Sequence, residues 1–200
     1  MTAARPSSHQ ASGYRNGGQN NRSDTQNQRG QPHLVLIGMM GSGKSTVGRR
    51  LAERLRRPFL DSDSAIEEQT GRTVAQIFAD EGEPAFRGLE TGVLTTMLDL
   101  DEPGVIAAAG GTVLEAENRE RMRQRGVVVW LRAEPSTLVK RVRTGTHRPL
   151  LDEDPENTLR RLAAARESLY RGTAHEIVDV DDVAPEQVVE VVLDLIGARA

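Results

Sequence analysis

The sequence predicts an α/β fold, a parallel sheet of five short strands covered by helices on both faces. Three observations predict it. Short runs of strand character stand at His33–Ile37, Arg57–Asp63, Val105–Ala109, Val127–Leu131 and Glu176–Val180. Between them lie longer segments whose apolar residues recur at helical spacing. Most of the strand runs are continuously apolar instead of alternating, as strands buried on both faces are. Strand–helix–strand crossovers of this kind are right-handed, and their ligands bind beyond the carboxyl ends of the strands.

Two hundred residues suffice for one domain and a tail. Residues 1–31 are Ser, Gly, Asn, Gln and Arg with almost nothing to bury, so they are expected to be disordered. Residues 32–200 are expected to form the single folded domain. Aromatic residues make up 3%, so the core must come from Val, Leu, Ile and Ala. The net charge of −3 argues against a nucleic-acid binder. No cysteine is present, which excludes disulfides and thiolate metal sites. No apolar run approaches the ~18 residues of a membrane span. The N-terminus shows no secretory h-region. A cytoplasmic monomer with no membrane or nucleic-acid partner is the expectation.

The first strand, His33–Ile37, leads into Gly38-Met39-Met40-Gly41-Ser42-Gly43-Lys44-Ser45, which fits G-x-x-x-x-G-K-[ST]. The helix over Lys44–Leu55 follows, with Val47, Leu51, Ala52 and Leu55 on one side. Arg57–Asp63 reads as a second strand ending in two acids. Ser64-Ala65-Ile66-Glu67 has the S-x-x-E pattern of a capping box, and Gly71 ends that helix. A short helix over Thr73–Ala79 and another over Ala85–Leu98 are separated by Asp80–Pro84. The second buries Phe86, Leu89, Val93, Leu94 and Met97. Pro103-Gly104 turns into the third strand, which ends at Gly110-Gly111. Ala116–Gln124 is helical and leads to the fourth strand. Pro135 opens a helix to Arg143, and a loop spans Thr144–Pro155. A long helix covers Glu156–Arg171. The fifth strand follows, and Pro185 starts a last helix that ends at Gly197.

Strand, glycine loop and helix form a phosphate-binding loop. Glycines at 38, 41 and 43 permit backbone conformations that a Cβ would block. Loop amides then make a concave nest, and the helix N-terminus adds free N–H donors and a positive dipole end. Lys44 reaches the outer phosphates of a nucleotide and the Ser45 hydroxyl ligates Mg²⁺. Asp61 and Asp63 share one side if the strand stays extended, so one can serve hydrated Mg²⁺ and the other an acceptor hydroxyl. Arg87 and Glu90, three apart, read by themselves as a surface ion pair. Arg166, by itself, reads as part of a solvated helix face. Arg148 lies in the loop, where an arginine can close over a transferring phosphoryl group.

Together GMMGSGKST, FLDSD, GEPAFRGLE, the glycine turn and RPLL resemble the shikimate kinase family, over Leu34–Ile196. The resemblance implies a P-loop kinase fold of the nucleoside-monophosphate-kinase type, with strand order 2-3-1-4-5 and a mobile lid. It implies transfer of a phosphoryl group from ATP, with Mg²⁺, to the 3-hydroxyl of shikimate. Gly41, Ser42, Gly43, Lys44, Ser45 and Thr46 would cradle the nucleotide. Arg141 would lie against the adenine and Pro185 near its far edge. Ser45 and Asp61 would hold the metal. Asp63 would engage the attacking hydroxyl. Arg87 and Arg166 would hold the carboxylate, Gly110 and Gly111 would approach the ring, and Arg148 would close with the lid.

Two departures from the family pattern stand out. Its glycine turn has three glycines, and here the first is Ala109. A left-handed conformation there would cost about 1 kcal/mol, so an ordinary one is expected. The third strand, VIAAA, also ends without the metal carboxylate that many phosphate-loop proteins keep there, which puts more weight on Ser45 and Asp61. Other readings are a kinase for gluconate or another carboxylated polyol, and a non-catalytic nucleotide switch.

Overall fold

The computed structural model describes residues 31–143 and 154–198. Its five strands are β1 (His33–Ile37), β2 (Phe59–Asp61), β3 (Val105–Ala107), β4 (Gly126–Arg132) and β5 (Glu176–Asp179). All the pairings are parallel, in the order β2-β3-β1-β4-β5. The helices are α1 (Lys44–Leu55), α2 (Ser62–Thr70), α3 (Val74–Leu98), α4 (Ala116–Arg125), α5 (Pro135–Arg143), α6 (Pro155–Thr173) and α7 (Pro185–Gly197). A 3-10 turn at Thr112–Leu114 follows the glycine turn and was not expected. The tail, residues 1–30, and residues 144–153, Arg148 among them, lie outside the described residues.

β1 is the central strand, and each of its residues is buried. Leu34 and Leu36 point to one face, and Val35 and Ile37 to the other. The first face is closed by Val47, Leu51 and Ala52 of α1 and Val188, Val189 and Val192 of α7. The second is closed by Val93, Leu94 and Met97 of α3, Met122 of α4, Leu138 of α5 and Leu159 of α6. Each Val, Leu or Met among these, once fully buried, stabilises the fold by about 1.5–3 kcal/mol relative to exposure. Among the described residues no helix is long and apolar enough to cross a membrane.

The structure corrects three local expectations. The helix after β2 starts at Ser62, not at the Ser64 capping box. Asp61 is its N-cap, accepting from the amides of Asp63 at 3.1 Å and Ser64 at 3.4 Å. The carboxylate ending the strand reaches those amides first, so Ser64 falls inside the first turn. In consequence Asp63 sits on a helix, not at the end of an extended strand. The capping box belongs instead to Thr73 and Gln76, at the start of α3. The expected break within Asp80–Pro84 is found: Gly82 is non-helical, with φ 79° and ψ 176°, so α3 is two helical segments joined across a kink, with Pro84 just beyond.

Candidate active site

The phosphate loop lies at the carboxyl end of β1. Gly38, Gly41 and Gly43 have φ of 145°, 81° and 93°, as the motif requires. A Cβ on Gly41 would also stand 2.9 Å from Val142 Cγ2 and 3.2 Å from the Leu138 carbonyl oxygen, so α5 packs directly on the loop. The N-terminus of α1 has no side-chain cap and no acid in its first turn, unlike that of α2. Its amides and dipole are therefore left for an anion. Lys44 Nζ donates to the carbonyls of Gly38 at 2.9 Å and Met39 at 3.1 Å, which fixes the ammonium against the loop. Ser42 Oγ is buried without a partner among the described residues. Thr46 is exposed in the first turn of α1.

Ser45 Oγ donates to Asp61 Oδ2 at 2.6 Å, while Asp61 Oδ1 is held by the two amides of α2. A hydroxyl and a carboxylate thus converge from two strand ends. Two hard oxygens fit Mg²⁺, which keeps much of its hydration shell. Among the described residues no three acids or histidines cluster, so a site built wholly from protein ligands is not formed there.

On the neighbouring strand end, the Ala109 amide donates to the buried Ser62 Oγ at 2.8 Å. The Ala109 carbonyl accepts from the amide and hydroxyl of Thr112. Ala109 has no positive φ, so the expected ordinary conformation is the one found. Ser62 and Thr112 escaped the sequence reading; a serine between two acids looks like solvated loop.

Both arginines close on the glycine turn. A Cβ on Gly111 would stand 1.7 Å from Arg87 Nη1, so only glycine admits the guanidinium there. Arg166 Nη1 donates to the Gly110 carbonyl at 3.1 Å. Neither is the surface residue its local sequence suggests. The Arg166 residue is 6% exposed and Glu90 is 2% exposed. Arg87 donates to Glu90 Oε2 at 2.5 Å and to Glu83 Oε1 at 2.6 Å. Burial raises the Glu90 carboxyl above the usual range, against the lowering by Arg87, and Asp63 adds to the rise. Burial alone would lower the Arg87 guanidinium; Glu90 and Glu83 outweigh it and raise it. Asp63, half-buried in the first turn of α2, thus shares a field with Glu90 and the two arginines.

Arg141 Nη2 donates to the Val180 carbonyl at 2.7 Å, tying α5 to the segment after β5. Pro185 opens α7 on that same edge. The loop, the Ser45–Asp61 pair and the glycine turn therefore lie together at the carboxyl ends of β1, β2 and β3, and the Arg141 edge lies beyond β5.

A glycine-lined amide nest at a helix start, with a lysine and a serine–aspartate pair, on a parallel sheet of this order defines a P-loop phosphotransferase. The model of the shikimate kinase family matches residues 40–197. The chain belongs to the shikimate kinase family. It is 49% identical over 170 residues to the shikimate kinase of Symbiobacterium thermophilum, covering 84% of this chain and 97% of the relative. Identity to that of Chromohalobacter salexigens is 43% over 165 residues, covering 82% and 91%. The structure of a shikimate kinase from Acinetobacter baumannii in complex with shikimate superposes with a TM-score of 0.83 at 41% identity, covering 88% of this chain and 98% of that one.

Proposed function

We propose that this enzyme transfers the γ-phosphoryl group of ATP to the 3-hydroxyl of shikimate, giving shikimate 3-phosphate and ADP on the way to chorismate and the aromatic amino acids. One observation carries the assignment of the acceptor end. Two arginines from separate helices, Arg87 and Arg166, meet at one two-residue turn, Gly110-Gly111. That turn lies against the phosphate loop: a Cβ on Gly110 would be 3.3 Å from the Gly38 carbonyl oxygen. Paired forked cations beside a phosphate nest suit a small carboxylated alcohol facing a triphosphate.

In this reading the loop from Gly41 to Thr46 holds the phosphates and Lys44 neutralises charge on the outer ones. Ser45 and Asp61 would hold Mg²⁺, which supplies positive charge at the phosphate oxygens when bound. Asp63 orients the attacking hydroxyl and accepts its proton late, since a carboxylate is a far weaker base than an alkoxide. The transition state is loose, so positioning and charge stabilisation carry most of the rate. Arg148, assigned by resemblance and outside the described residues, would stabilise charge on the transferring phosphoryl group. Arg141 and Pro185 flank the adenine. Residues 32–200 are the kinase domain, residues 1–31 stand outside it, and the protein works as a cytoplasmic monomer.

Coupled ADP release tests the assignment, with shikimate, gluconate and nucleoside monophosphates offered in turn to the full chain. Release that depends on shikimate alone is expected. Release driven by gluconate, or ATP binding with no acceptor-dependent release, would overturn it.

A further inference from the structure

Tyr170 follows Arg166 by one turn of α6, so both side chains leave the same face of the helix. Both end on one atom. Arg166 Nη1 donates to the Gly110 carbonyl oxygen at 3.1 Å, and the Tyr170 hydroxyl donates to that oxygen at 2.7 Å. A carbonyl oxygen has two lone pairs, so the two donors saturate it. The tyrosine is 1% exposed. Its ring stacks on Trp130 of β4, centroids 5.5 Å apart and planes 21° apart, and its oxygen lies 3.7 Å from Met39 Sδ of the phosphate loop. Packing on two sides therefore fixes where the hydroxyl points.

We propose that Tyr170 is a positioning residue of the acceptor site: its hydroxyl keeps the Gly110 carbonyl paired when the Arg166 guanidinium turns to the acceptor's carboxylate. This rests on the function proposed above. A carboxylate outcompetes a neutral carbonyl for a guanidinium donor. Without the tyrosine, that exchange would strip a partly buried carbonyl of its partner, and the penalty would oppose acceptor binding. With it, the exchange leaves no orphan. The Gly110 backbone also stays seated against the Gly38 carbonyl, so one hydroxyl sets the spacing between acceptor turn and phosphate loop. Burial pushes the phenol up to about 12, so the O–H keeps its proton, and remains a donor, at neutral pH.

Tyr170→Phe removes the oxygen and keeps the ring on Trp130. The KM for shikimate is expected to rise about tenfold, the effect of one acceptor left unpaired, with the KM for ATP unmoved. The shikimate Kd, read from fluorescence of Trp130, the chain's single tryptophan, should rise in parallel. Trp130→Phe, which keeps an aromatic ring packed on the tyrosine and leaves its hydroxyl in place, should keep the wild-type KM for shikimate. An unmoved shikimate KM in Tyr170→Phe, an equal rise in both KM values, or the same rise in Trp130→Phe would overturn the proposal. A crystal structure of the wild-type protein with shikimate tests it without any variant. Tyr170 should still donate to Gly110 with Arg166 on the carboxylate; the tyrosine displaced, or Arg166 unmoved, would refute it. A wild-type chain with no shikimate-dependent ADP release would instead bring down the function itself, an outcome distinct from an active enzyme indifferent to Tyr170→Phe.

Discussion

Asp63 sits in the first turn of α2 with its amide donated to Asp61, so its side chain is aimed by the cap of its own helix. Asparagine there keeps the shape and loses the charge. Asp63→Asn is expected to lower kcat at least about a hundredfold, with the melting temperature within a few degrees of wild type. Steady-state kinetics beside a thermal melt would check this, and a mild loss of kcat would reduce Asp63 to a helix-start residue. Lys44, Ser45 and Asp61 were legible as single residues because motif and spacing mark them, whereas Arg87 and Arg166 read locally as surface residues and were singled out through the family resemblance. Burial was not legible. Arg87 and Glu90 stand three apart whether the helix face is wet or packed, and only the fold puts Glu90 out of water. Tyr170 carried one readable signal, its place four residues after Arg166, but nothing in the sequence says that both reach for the same carbonyl.

At the scale of elements, α1 was legible from end to end because glycine loop, lysine and amphipathic spacing agree. The start of α2 was not, since Asp61 and Ser64 are both good cap residues. The choice between them falls to where β2 releases the chain: Asp61 is still extended, at φ −119° and ψ 119°, and can accept from the amides ahead of it. The glycine turn makes a sharper case. A Cβ at Gly111 meets the far end of a flexible arginine and no backbone, so the clash is relieved by moving Arg87. Gly111→Ala is therefore expected to cost little stability. It should raise the shikimate KM about ten- to hundredfold, as the loss of one hydrogen bond to a charged group does, and leave the ATP KM alone. Kinetics with each substrate varied in turn measure both numbers; an unfolded variant would show that the turn itself is rigid.

Across the whole molecule, β1, β3 and β4 were readable because buried parallel strands are nearly unbroken apolar runs, and the edge strands β2 and β5, only partly buried, were readable as shorter runs of strand character. Their order was not readable from pattern, since any parallel order buries the same residues; it came through the family resemblance, and the pairings agree. His33 shows how the sheet as a whole meets pH. It opens β1, is 4% exposed, and its Nδ1 accepts from the Gly104 amide at 3.0 Å, joining the start of β1 to the lead-in of β3. Burial lowers its pKa from 6.5; the carbonyls of Leu98 and Leu100 oppose this, and Arg125 and Arg57 reinforce it. The unfolded chain therefore binds the proton more readily, and stability is lost as pH falls below about 6.5. Between pH 7.5 and 5.5 the wild-type melting temperature should drop by a few degrees more than that of His33→Asn, which offers the amide an acceptor that does not titrate. Parallel slopes in the two proteins would show that other groups govern the acid limb.

The strap from the Ala109 amide to Ser62 Oγ has a consequence for anyone who would design a molecule to fill this cleft. It rivets the second and third strands at their tips, just where a bulkier compound would try to wedge them apart. Growth toward that seam meets a shut wall.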